Sequence, residues 1–367
     1  MSEILLRTYS EHGQSPWLDN LQRSYITSGK LAELIAAGVR GLTSNPTIFQ
    51  KAIQGSADYD DQFSSEIRRG VSPLEAYWSL VIKDINDALD VFSGLYESSK
   101  GVDGFVSVEV DPRLARDGDG TLTAARELHE KINRSNVMIK IPATKEGLPA
   151  IRQMITEGRS VNVTLIFSLD RYQEVMDAYV EGLEQRVKAK LPIDNIQSVA
   201  SFFISRVDND IDAALNNIGS ESALALRGNS AIAQAKLAYA AFTKTFSGDR
   251  WSALTAHGAA VQRPLWASTS TKNPTYPDTL YIDELIGPFT VNTIPEATLH
   301  AFADHGTVAR TIDANLEDAV STWSTLADLG VDVRQVAEKL ENEGVASFIA
   351  SFVELIEALE TKASSLG

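Results

Sequence analysis

The sequence predicts an α/β fold, a (β/α)8 TIM barrel with additional helices. Three observations point there. Short apolar runs alternate with longer stretches of helical period, which favours parallel βα units. Each central run has one aliphatic face and one face that turns polar towards its C-terminal end. An open sheet covered on both sides should be apolar on both faces, whereas the inner face of a barrel ends at a mouth where a site can form. The chain has 367 residues, more than the roughly 250 of a typical barrel, so helices must be added to it.

Taken in order, strands are expected near Ser15–Leu18, Val39–Leu42, Val106–Val110, Val137–Ile141, Val161–Leu165, Ser198–Phe202, Leu265–Ser268 and Pro288–Val291. In the third, Phe105, Ser107 and Glu109 share one face and Val106, Val108 and Val110 the other. In the fourth, Asn136, Met138 and Lys140 oppose Val137, Ile139 and Ile141. In the fifth, Asn162 and Thr164 oppose Val161, Val163 and Leu165. Leu31, Leu34 and Ile35 mark a helix that Gly38 can stop. Leu169, Tyr172, Met176, Tyr179 and Leu183 step by three and four behind Ser168, a suitable N-cap. Stretches 50–100 and 215–260 have room for further helices, as does the tail, 311–367. In the tail, Val333, Val336, Leu340, Val345, Ile349, Phe352, Ile356 and Leu359 repeat with helical period. We expect those helices to pack on the barrel within one domain spanning 1–367.

Composition removes several classes of function. With no Cys, disulfides, thiolate nucleophiles and Cys-ligated metals are excluded. The net charge of −16 argues against a nucleic-acid binder, so positive charge for an anionic ligand must be local. Residues 1–8 lack a basic start followed by an apolar run. No apolar run approaches the roughly 18 residues that span a bilayer. The expectation is a cytoplasmic protein without membrane partners.

Lys140 is the most informative residue. It interrupts an apolar strand that ends at Pro142, and a lysine is almost never fully buried without a partner or a task. Desolvation lowers a lysine pKa, and a neutral amine attacks carbonyls to form a Schiff base. The competing reading is an ammonium paired with a buried carboxylate. Glu109 and Asp19 are the carboxylates placed to serve it, and two acids in different surroundings could divide the proton transfers. Either could equally be structural, as an ion-pair partner or a loop cap. Thr43, Asn45, Asn162, Thr164, Ser201 and Ser268 supply uncharged polar groups at strand ends, which suits a polyhydroxylated ligand. Arg206 and Lys272 are candidates to hold an anion, with plain surface charge as the alternative. Asp208, Asp210 and Asp212 begin like a calcium loop but lack its glycine, so they read as the acidic first turn of a helix.

Several segments together resemble the transaldolase family. They are Gly41 to Phe49 (GLTSNPTIF), Val108 to Asp111 (VEVD), Val137 to Ala143 (VMIKIPA), Asn162 to Ser168 (NVTLIFS), Ser201 to Arg206 (SFFISR) and Trp266 to Pro274 (WASTSTKNP). The longer bacterial form, with extra helices, is the most similar. The resemblance implies a (β/α)8 barrel that needs no cofactor or metal and acts on sugar phosphates. It implies a Schiff-base lysine at Lys140, a retro-aldol base at Asp19, and an acid at Glu109 working through a water that Thr164 holds. Asn45 and Ser201 match ligands of a dihydroxyacetone unit, and Arg206 matches a phosphate arginine. Where many relatives carry a second phosphate arginine, this chain offers Lys272, which keeps the charge and gives up the bidentate fork. The implied reaction moves a dihydroxyacetone unit from sedoheptulose 7-phosphate or fructose 6-phosphate to glyceraldehyde 3-phosphate or erythrose 4-phosphate. Two alternatives stay open: a fructose 6-phosphate aldolase-like enzyme, which Glu109, Phe203 and the chain length speak against, and a non-catalytic sugar-phosphate-binding barrel. The tail helices leave room for a homodimer.

Overall fold

The computed structural model describes residues 2–366. Eight parallel strands close into a barrel in chain order: β1 (Gln14–Leu18), β2 (Gly41–Thr43), β3 (Phe105–Glu109), β4 (Val137–Pro142), β5 (Val161–Ile166), β6 (Ser198–Phe203), β7 (Gln262–Ala267) and β8 (Thr290–Ile294). The expected face alternation holds through β3 and β4. Val106, Val108, Ile139 and Ile141 are buried with the helix layer, while Glu109 and Lys140 sit side by side across the ladder. Lys140 in turn pairs in register with Asn162.

Strand boundaries differ where backbone conformation overrides apolar patterning. The eighth strand starts at Thr290, later than Pro288, because Phe289 adopts a left-handed φ of 59° that extended pairing excludes. β2 is short and begins at Gly41, whose α carbon faces the Trp17 ring. A β carbon there would meet that ring at 2.4 Å, so only glycine fits. Leu165 departs from the expected aliphatic face. The β5–β6 register shifts between Val163 and Ile166, Leu165 has a φ of 60°, and its side chain meets Gly344 of the tail.

The floor of the barrel is polar, with its charges paired, although Gln14 Oε1 and Gln262 Oε1 have no hydrogen-bond partner among the described residues. Arg263 on β7 reaches inward to Ser15 Oγ at 2.9 Å and to Asp103 Oδ1 at 3.2 Å, and Arg40 Nε donates to Asp103 Oδ2 at 2.6 Å. Such a paired and hydrogen-bonded charge cluster can sit where an unpaired charge could not.

Helices occupy the stretches left open by the strand pattern. Pro46–Gln54, Asp60–Arg68 and Pro73–Ser98 fill 50–100, and the last begins with a capping box between Ser72 and Glu75. Ser230–Thr245 and Asp249–Thr255 fill 215–260. The tail forms Leu316–Asp328 and the long helix Val333–Ser364, capped by Asp332. That long helix docks on Pro46–Gln54, where Thr47 and Ser351 hydroxyls lie 2.8 Å apart, and Phe352 packs edge-on against Tyr77 at 5.3 Å. Among the described residues no helix is long and apolar enough to cross a membrane.

Candidate active site

Parity along β4 points the Lys140 side chain into the barrel. Its Nζ stands 3.5 Å from Glu109 Oε2, with the two side chains 5% and 3% exposed, and donates to the Ser44 carbonyl at 3.3 Å. A carboxylate in such a dry place favours its neutral form. Burial pushes the Glu109 carboxyl up to about 7, against the pull of the Lys140 charge, and Glu109 Oε2 has no hydrogen-bond partner among the described residues. Both readings of Lys140 therefore meet here, since the amine has a carboxyl neighbour that itself prefers a proton near neutrality.

Asp19 follows β1 and accepts from Thr43 Oγ1 at 2.8 Å. It is partly open to the cleft, yet burial of its carboxyl raises it above the ordinary value. Lys140, the Thr43 hydroxyl and Lys272 pull the other way.

Asp19, Thr43, Asn45, Lys140, Ser201, Phe203, Arg206, Ser268 and Lys272 line one cleft of about 150 Å³ at the C-terminal ends of the strands. Arg206 lies in the first turn of helix Ser205–Ile218, with its guanidinium 5.5 Å from the centre of the Phe203 ring. Burial lowers its pKa, opposed by the charge of Glu343, a carboxylate that Lys339 engages at 3.7 Å. Among the described residues no carboxylate comes within 4.0 Å of the nitrogens of Arg206 or Lys272. In a chain of charge −16, two cations lining one cleft concentrate positive charge there.

Three expected residues do not line the cleft. Glu109 stands behind Lys140. Asn162, expected at a strand end, lies in the packed interior. Its Nδ2 donates to Ser107 Oγ at 3.0 Å and its Oδ1 accepts from Ser201 Oγ at 2.7 Å, so both polar ends of the amide already have protein partners. Thr164 is fully buried, and its Oγ1 has no hydrogen-bond partner among the described residues. Asn45 does reach the cleft, but its Oδ1 accepts from Ile48 N at 2.9 Å and caps helix Pro46–Gln54. Its amide nitrogen is the donor left for a ligand.

Other lining residues were not anticipated: Ser270, Thr293, Pro295 and Phe348. Ser270 shares the hydroxyl-rich run with Ser268, a signal that was available. Thr293 sits on β8 beyond the predicted strand end. Phe348 comes from the tail helix, and its spacing from Val345 and Phe352 fits the apolar stripe, but period alone cannot say that the stripe meets the mouth. The aspartates read as an acidic first turn do more than that. Asp208 accepts from Tyr281 OH at 2.8 Å and Ala231 N at 2.9 Å, and Asp212 accepts from Tyr276 OH at 2.6 Å and Gly228 N at 3.1 Å. They tie the segment after Lys272 to the helix that carries Arg206. Burial pushes the Asp208 carboxyl up to about 6.

The arrangement suits a nucleophilic amine, two carboxyls with raised affinity for protons, a hydroxyl-lined floor and an anion site. Known proteins resemble the chain over nearly its whole length. A family model described as transaldolase/fructose-6-phosphate aldolase matches residues 16–359. A protein of a Parafrankia species named transaldolase is 52% identical over 98% of this chain and 98% of its own length. Proteins of the same name from Frankia alni and Thermobifida fusca are 50% and 51% identical, covering 99% and 96% of this chain and 97% and 96% of their own lengths.

Proposed function

The chain belongs to the transaldolase/fructose-6-phosphate aldolase family, and on that premise we propose that it is a transaldolase whose Schiff-base lysine is Lys140. The observation that carries this reading is the buried amine 3.5 Å from Glu109, sharing one cleft with Asp19, Arg206 and Lys272. In this reading Lys140 Nζ attacks C2 of a ketose phosphate. The carbinolamine loses its hydroxyl as water and leaves an iminium. Asp19 takes the proton of the C4 hydroxyl and the C3–C4 bond breaks. An aldose phosphate departs, while the electron pair stays on C3, delocalised towards nitrogen as an enamine. That carbon then adds to the aldehyde of an aldose phosphate acceptor, the new alkoxide takes the proton back from Asp19, and water hydrolyses the imine.

Geometry divides the proton transfers. Asp19 stands in the cleft, where a substrate hydroxyl comes. Glu109 stands on the nitrogen side, and Thr164, on β5 opposite Pro142 of β4, has a buried hydroxyl without a partner among the described residues, so these two suit a water serving imine formation and hydrolysis. A positioned proton donor or acceptor of this kind contributes about 10²–10⁴-fold in rate. Ser201 and the Asn45 amide nitrogen are left for the hydroxyls of the three-carbon unit, and Arg206 with Lys272 for the phosphate.

The test is reduction with borohydride in the presence of fructose 6-phosphate, followed by peptide mass spectrometry. The adduct should appear on Lys140 and vanish in Lys140→Arg while that variant keeps its helical circular dichroism. An adduct on another lysine, or none on the wild type, refutes the assignment. The second family activity, release of free dihydroxyacetone, would show as product formed at the same rate with and without an aldose phosphate acceptor.

A further inference from the structure

The cleft has one wall that the barrel does not supply. Helix Val333–Ser364 brings Phe348 into the lining, buried, with its ring centre 6.0 Å from Lys140 Nζ. One turn earlier the same helix presses on the mouth through Gly344. A β carbon there would stand 3.0 Å from Leu165 Cδ2 and 3.6 Å from Arg206 Nη1. The tail helix thus stands beside both the amine of Lys140 and the guanidinium of Arg206. Its ring face is turned to a nitrogen that becomes a cationic iminium, and it offers a water molecule no hydrogen-bond partner.

We propose that Phe348 is a specificity-determining residue: it covers the three-carbon unit on Lys140 and keeps mouth water from it, so that the unit passes to an aldose acceptor. The inference rests on the Schiff-base reading above. The waiting enamine has two fates. Its nucleophilic carbon can bond to an aldehyde carbon, which is transfer. It can instead take a proton, relayed by water from Asp19, which received one from the donor. Water then adds to the imine carbon, the carbon–nitrogen bond breaks, and the proton balance leaves free dihydroxyacetone and the amine. Excluding water from the open side suppresses the second fate, one role of a closed active site.

The experiment uses the full chain with Phe348→Ala and Phe348→Leu. Two rates are measured from fructose 6-phosphate: free dihydroxyacetone release without acceptor, and transfer to erythrose 4-phosphate. The release-to-transfer ratio should rise about tenfold in Phe348→Ala, the change that about 1.4 kcal/mol of barrier produces, and by a smaller step in Phe348→Leu. An unchanged ratio in variants that still form the borohydride adduct overturns the proposal, however much the two rates fall together. If Phe348→Ala fails to fold, Phe348→Leu decides alone: a raised ratio supports the proposal and an unchanged one overturns it. Loss of the adduct in the wild type would instead sink the Schiff-base reading, and this proposal with it.

Discussion

Replacing Glu109 by Gln keeps the shape of the group beside Lys140 and removes its proton. The rise of this carboxyl from 4.5 to about 7 corresponds to about 3 kcal/mol in favour of the protonated form. Near pH 7 about half the molecules then hold a carboxyl able to protonate the departing hydroxyl of the carbinolamine. In the wild type, kcat/KM should have a limb near pH 7, falling as the carboxyl loses that proton. The amide cannot relay protons, so kcat should fall by about 10²–10⁴-fold and the limb should vanish. Stability provides a second readout. The folded value lies above the unfolded one, so this group's contribution is full below about 4.5 and is lost as pH rises through about 7. The stability of the wild type against urea should therefore fall by up to about 3 kcal/mol over that window, and the fall should be absent from the variant. The measurements are kcat/KM from pH 5.5 to 9 and urea midpoints from about pH 4 to 8. A variant that keeps the limb and stays within a few-fold of wild-type rate would show that Glu109 is not the proton relay.

Arg206→Ala should raise KM for the phosphorylated donor about ten- to hundredfold, as expected from losing about 1.5–3 kcal/mol of charged hydrogen bonding. The adduct should still form at saturating donor, and an unchanged KM would remove Arg206 from the anion site. Asn162→Ala should act on stability, lowering it by about 1–3 kcal/mol because the Ser107 and Ser201 hydroxyls lose their buried partner. A hundredfold rise in KM with undiminished stability would instead place Asn162 against the substrate.

The barrel was legible because β3 and β4 keep strict two-residue alternation, so aliphatic and polar faces separate in the sequence. Lys140 and Glu109 could be paired for the same reason, each being the inward residue near the end of neighbouring strands. Asn162 shows the limit of that argument. Alternation says which side of the sheet a residue faces, not which interior layer it occupies, and Asn162 lies in a packed layer with Ser107 and Ser201. The Leu165 bulge and the left-handed Phe289 were invisible because both residues carry ordinary strand-forming side chains. The Asn45 cap was readable from the proline that follows it, but a ligand and a cap use the same amide, and pattern alone does not choose between them. Phe348 is separated from Lys140 by most of the chain, and no local signal connects them.

Closure of the barrel in chain order has a consequence for when the protein becomes competent. Asp19, Thr43, Glu109, Lys140, Ser201, Ser268 and Thr293 are supplied in order by the units of β1 to β4 and β6 to β8, and β8 must find β1 to complete the ring. Phe348 follows later still. A chain emerging from the ribosome therefore carries Lys140 long before it carries the walls around it. A product clipped before Phe348 would keep the barrel's lysine without the tail's wall over it, so the balance of release and transfer would report whether that helix is in place.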